Sequence, residues 1–260
     1  LKVDIIPRFS MNTSFADIEK KENRKDLIIS ICVFLSGFSC FAQLYYFQPL
    51  LPDLAKDFIL SASESSFAIS FSTLGMVFGL FTTMFVADRI PRKKMIGTGL
   101  LSSSIFSVAA SFSPTFLPLI LLSAAKGFLL SGATSVSMAY IAEEVSSRNK
   151  GKIMGLYIAG NALGGMAGRV ISSWIGALYT WRIASVSIGL ICALFAILFL
   201  LFSPRSTNFM PRKESFHTLI IANLQLITSK ALIPFYLTGG LILGVFVSLY
   251  NYLGFYLTKA

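Results

Sequence analysis

Apolar residues in this chain come in long unbroken runs rather than in the alternation of a half-buried strand. Residues 27–51, 67–87, 95–125, 183–202 and 232–257 carry no charge, and 153–175 carries only Arg169. A membrane-crossing helix needs about 20 mostly apolar residues, so each run is long enough to span. The 95–125 run is too long for one crossing. Two prolines, Pro114 and Pro118, break it into two helices, the second continuing past Lys126 to about residue 141. Seven spans result, read as helices because the apolar positions are continuous, where a barrel would alternate them with polar ones.

A polar, basic stretch at 203–230 interrupts the pattern after the sixth span, with Pro204 and Pro211 at its start. Within it Phe216, Leu219, Ile220, Leu224 and Ile227 recur at helical spacing. That spacing fits either a short amphipathic helix on the membrane face or a solvated linker. The expected organisation is an arm at 1–26, six helices over 27–203, a linker at 204–230 and a seventh helix over 231–260.

Composition points the same way. Hydrophobic residues make up 55%, charged residues 13%, and the mean hydropathy is +0.73. Soluble domains carry about 25% charged residues, so this chain lacks the surface of a water-soluble fold. The 22 bases against 12 acids are read as anchors to lipid headgroups, not as a nucleic-acid footprint. The arm carries six bases, the 88–94 loop four, 148–152 three and 205–230 four, against three (Lys56, Arg182, Lys259) on the opposite connections. By the positive-inside rule the N-terminus is expected in the cytoplasm, with the chain crossing its membrane several times. Cys32, Cys40 and Cys192 fall inside apolar runs and read as small buried hydrophobes. Neither a catalytic set nor a phosphate loop is visible, so no enzyme, cofactor or metal centre is expected.

Several polar residues stand out against this background. Lys126 and Arg169 are charges inside spans, each costing several kcal/mol unless it faces a cavity, finds a partner or snorkels. Ser36, Ser39, Gln43 and Tyr46 fall on one stripe of the first helix; with Asn161 they line a cavity or serve polar helix packing. Gly160, Gly164 and Gly168 share a face that admits a neighbouring backbone, with Gly165 beside them. Glu143 and Glu144 close the fourth span beside Arg148, suggesting an interfacial ion pair. Asp88, followed by Arg89, Arg92, Lys93 and Lys94, closes the second span. Headgroup anchoring explains the bases but not the acid.

The 84–96 loop resembles the signature loop of the major facilitator superfamily. Ala87, Asp88, Arg89, Arg92 and Lys93 match it, while Met84 and Pro91 stand where the pattern has glycines. The resemblance implies a conformational latch acting against a helix of a second half. The 160–165 segment is similar to the fifth-helix motif of drug/proton antiporters, with Asn161 in its proline position. In the fourth span the family arginine position is Ser123, and Lys126 stands one turn on, in the glutamine position. The phrasing around residues 46–55, 139–144, 155–169 and 181–182 resembles the YnfM-type inner-membrane permeases, a branch grouped with arabinose-efflux-like transporters.

The expected fold is therefore an all-α polytopic membrane protein: the N-terminal six-helix half of a major facilitator transporter, plus helix seven. The resemblance implies proton-coupled efflux of small organic molecules by alternating access. It also implies that a C-terminal half is needed to complete the transporter, so the chain reads as an N-terminal fragment. Uptake by the same fold, or a remnant without transport, remains open.

Overall fold

The structure is a computed structural model that describes residues 9–211, 220–221 and 225–257. Its helices are α1 (Phe9–Tyr45), α2 (Leu51–Asp57), α3 (Ala62–Ser65), α4 (Phe67–Val86), α5 (Arg92–Ser111), α6 (Phe116–Glu144), α7 (Lys150–Leu178), α8 (Trp181–Phe202) and α9 (Ile233–Leu257). The first helix differs from expectation: it runs back through the charged arm to Phe9. Residues 8–36 contain neither glycine nor proline, so nothing stops the helix at the edge of the apolar run. The expected amphipathic helix lies largely outside the described residues.

Local chemistry sets the remaining boundaries. Pro118 falls in the first turn of α6, where its missing N–H has no partner to lose. Thr180 caps α8 by accepting the Ile183 N–H at 3.3 Å, and Ser61 and Glu64 form a capping box on α3. The 87–91 turn is made without positive φ; among the described non-glycine residues only Ile59 has one. Methionine and proline in the two glycine positions are therefore compatible with the turn.

Among the described residues, five helices are apolar and long enough to cross a membrane on those grounds alone: α1 with its continuation, α4, α6, α8 and α9. Serines dilute α5, and glycines and charges dilute α7, but both turn part of that polarity inward. Ser103, Ser104, Ser107 and Ser111 of α5 are buried, while α7 turns Leu163, Met166, Val170 and Trp174 outward. Such an apolar exterior is what hydrocarbon requires.

Two seams of small residues hold the bundle. A Cβ added at Gly75 of α4 would lie 2.0 Å from the Ala124 carbonyl oxygen, and one at Gly127 of α6 1.8 Å from that of Ser72. On α7, the corresponding distances are 2.6 Å from Phe34 O for Gly160, 2.2 Å from Phe38 O for Gly164 and 2.7 Å from the Ala42 Cα for Gly168. Helices α1 and α7 thus touch backbone to backbone, as do α4 and α6. α5 packs on α6 and α8.

Helix α9 stands apart. Residues 233–246 are exposed, and a Cβ at Gly239, Gly240 or Gly244 would meet nothing. Its contacts with the bundle are made by its last turns, against Gln48–Leu50, α2 and α7.

Candidate functional site

Polar groups cluster at two opposite ends of the bundle and once in its interior. At the end where α4 turns into α5, Arg92 is buried and fully engaged. Its Nη2 donates to Asp88 Oδ1 at 3.0 Å and to Glu143 Oε1 at 3.1 Å, and its Nη1 to the Ala87 carbonyl at 2.6 Å. The guanidinium also lies 4.9 Å from the Phe209 ring centroid. Lys93 donates through Nζ to the Ser203 carbonyl and through its backbone N–H to Ser206 Oγ. Asp88 keeps 40% of its side chain exposed, and Arg89 is exposed.

The acids that close α6 do not pair with Arg148. Glu143 faces α5 and takes Arg92; Glu144 faces α1 and takes Lys25 at 2.9 Å. Arg148, beyond the turn that ends α6, reaches Glu19 at 3.4 Å with both side chains largely in solvent. Adjacent helix residues point about 100° apart, so neighbouring acids serve different partners. Beside them Asp26 accepts from Ser146 Oγ at 2.5 Å and Asn149 Nδ2 at 2.8 Å, tying α1 to the α6–α7 turn.

In the interior, Lys126 is 1% exposed and its Nζ has no hydrogen-bond partner. It sits over the Tyr46 and Phe47 rings, at 4.5 and 4.9 Å from their centroids. The ring faces supply partial negative charge that a lone ammonium needs in a dry interior. Around it Gln43 accepts from Ser107 Oγ at 3.2 Å, Tyr46 shares a 2.9 Å hydrogen bond with Ser185, and Ser172 donates to the Tyr46 carbonyl. Ser39 Oγ, Gln43 Nε2 and Ser123 Oγ also lack partners. Gln43, Tyr46 and Lys126 are thus enclosed by the bundle rather than lining an open cavity. Asn161 lies at the α1–α7 seam, where its Oδ1 would be 2.3 Å from a Cβ on Gly37.

At the far end, Arg169 joins three segments. Its Nε donates to Gln48 Oε1 at 2.5 Å and its Nη1 to the Gly165 carbonyl at 2.7 Å. Its guanidinium carbon is 4.5, 4.7 and 5.4 Å from the ring centroids of Tyr45, Tyr250 and Phe246. Gln48 passes the chain on to Asn251 of α9 at 3.0 Å. An open pocket of about 640 Å³ lies here, lined by Arg169, Asp53, Trp174 and Tyr250 among others. Of the residues read from sequence as cavity candidates, Arg169 alone lines a described pocket. Nearby, Arg182 binds Asp57 at 3.0 Å and the carbonyls of Ser111 and Ser113, closing the connections at this end.

Sequence reasoning gave Glu143 and Glu144 another partner, Arg148, and did not reach Gln48, Asn251 or residues 203–209 as partners in these clusters. The α4–α6 glycine pair was legible in principle from Gly75 and Gly79 at four-residue spacing.

The sequence model described as Major Facilitator Superfamily matches residues 30–260. The chain belongs to that superfamily. It is 35% identical over 92% of its length to an "Uncharacterized transporter" of Buchnera aphidicola subsp. Schizaphis graminum, covering 58% of that protein. It is 36% identical over 87% of its length to the "Inner membrane transport protein YnfM" of Escherichia coli K12, covering 54% of it. The chain therefore spans about half the length of the curated relatives it matches. Its fold is similar to that of a bacterial homologue of the human lysosomal transporter Spinster, solved inward-facing and unoccupied. That likeness has a TM-score of 0.72 at 13% identity, over 90% of this chain and 56% of the other. A multi-pass membrane protein of a transporter family follows, all-helical and without an enzyme's ancestry.

Proposed function

We propose that the chain works as part of a proton-coupled secondary transporter that exports small organic molecules by alternating access. The observation that carries this reading is the position of α9. It meets the six-helix bundle through Gln48, Arg169 and their aromatic neighbours at one end, and stands free along residues 233–245. A carrier closed on one side of a midplane site and open on the other has this form. It agrees with the inward-facing description printed for the Spinster homologue, if the Asp88 end is cytoplasmic, as the basic connectors support. The name of the YnfM relative supports an inner-membrane location.

In this reading Asp88, Arg89, Arg92 and Lys93 form the latch. Arg92 is held within its own half by Asp88 and Glu143 while the latch side is open. Closing that side brings the half-exposed Asp88 to a helix of the other half. Arg169 contributes to closure of the opposite side. Lys126, sealed beneath Tyr46 and Phe47, joins solute or proton handling when those rings part. The glycine face 160–168 supports export because of its likeness to the antiporter motif.

The test is flux in both directions. The protein expressed from its complete reading frame is placed in vesicles of either orientation, and an imposed proton gradient is applied with a panel of small organic solutes. Export reading requires gradient-driven accumulation in inside-out vesicles. Accumulation in right-side-out vesicles alone would establish uptake, and none in either would remove the transport assignment.

A further inference from the structure

The connection that leaves α8 is bound to the latch. We propose that residues 203–209 form a strap that positions Arg92, with Glu144 as its anchor and Ser206 as a remote cap on α5. The proposal rests on reading the Asp88–Lys93 loop as the latch.

Helix α5 starts without a cap of its own. Pro91 occupies the N-cap position and offers no side-chain acceptor, leaving first-turn N–H groups to be satisfied from elsewhere. The Lys93 N–H finds Ser206 Oγ at 3.0 Å, from a residue far along the chain. The same segment takes the Lys93 ammonium on the Ser203 carbonyl, and the Tyr140 hydroxyl on Pro204 O at 2.8 Å. It ends by placing Phe209 against the Arg92 guanidinium.

Glu144 is the point where this strap is fastened. Its side chain is 0% exposed. One oxygen accepts from Lys25 Nζ and Thr207 Oγ1, each at 2.9 Å, and the other from the Asn208 N–H at 2.7 Å. Asn208 Nδ2 in turn donates to the carbonyl of Glu143, whose carboxylate holds Arg92. A buried carboxylate stripped of these donors is strongly disfavoured, so strap and latch are held as one network.

Hydrogen exchange on the detergent-solubilised chain tests this without using transport. In the wild type, the Ser203 and Asn208 amides, which donate to the Phe199 carbonyl and to Glu144, are expected to be protected. Ser206→Ala should raise exchange in the first turn of α5 about fivefold, the ratio that accompanies loss of one N-cap hydrogen bond. Glu144→Gln should release both the Asn208 amide and 92–96 while α4 and α7 keep wild-type rates. If Glu144→Gln disturbs the whole bundle, α4 and α7 will report it, and the partly exposed Ser206→Ala decides. An unprotected Asn208 amide in the wild type would overturn the proposal. So would release of the strap with no change at 92–96, or Ser206→Ala leaving that turn at its wild-type rate. Failed flux in vesicles would remove the transport reading and leave these exchange results standing.

Discussion

The α1–α7 seam permits a sharp comparison, because α7 carries glycines in opposite environments. At Gly164 an added Cβ would lie 2.2 Å from the Phe38 carbonyl oxygen, 2.5 Å from its Cα and 2.6 Å from its carbonyl carbon. All three are backbone atoms, so no rotamer change relieves the clash. Ordinary contact begins at 3.4 Å, and α1 must withdraw by about 1.2 Å for the methyl group to fit. Gly160 and Gly168 hold the same seam, so the displacement opens contacts on either side. Overpacking of this kind costs about 1–3 kcal/mol, offset by the roughly 1 kcal/mol that alanine gains over glycine in a helix. Gly155 is on the same helix with nothing within 4 Å of its added Cβ, so Gly155→Ala should keep only the favourable part. Thermal unfolding in detergent, followed by fluorescence-detected size exclusion, should therefore rank Gly155→Ala at or above wild type and Gly164→Ala below it. If the two variants melt together, close backbone approach is not what holds α1 to α7.

Asp88→Asn should leave insertion and melting unchanged while slowing gradient-driven flux by the protein from its complete reading frame; wild-type flux would remove Asp88 from the latch. Lys126→Met replaces an ammonium that has no hydrogen-bonding partner with an apolar chain of similar length. It should stabilise the chain by about 1–4 kcal/mol, read as an upward shift in melting, and abolish flux; a lower melting temperature would show that the ring contacts outweigh desolvation. Arg169→Ala should loosen α9. With Asp53→Cys and Leu253→Cys, on α2 and α9 at the same pocket, disulfide yield should fall about tenfold when Arg169 is also replaced, given about 0.5–2 kcal/mol for each of its contacts with the Tyr250 and Phe246 rings. An unchanged yield would mean that α9 is held there by something else.

Patterning along the chain was enough to place the helices, because hydrocarbon tolerates neither charge nor unpaired backbone and each span must be long and apolar. Ends were less legible: α1 runs on through the charged arm, since stopping a helix takes a breaker and not merely a change of polarity. The face shared by Gly160, Gly164 and Gly168 followed from a 3.6-residue period, but its occupant, the Phe34–Ala42 stretch of α1, did not. Partners across the fold were decided by tertiary structure alone. Glu143 and Glu144 are adjacent in sequence to the turn carrying Arg148, yet one binds Arg92 and the other Lys25. Lys126 found ring faces just beyond α1 instead of a charged partner, and a stretch read as linker binds the first turn of α5. Spacing reports which residues share a face; which faces meet depends on how the helices pack, and that is a property of the folded bundle.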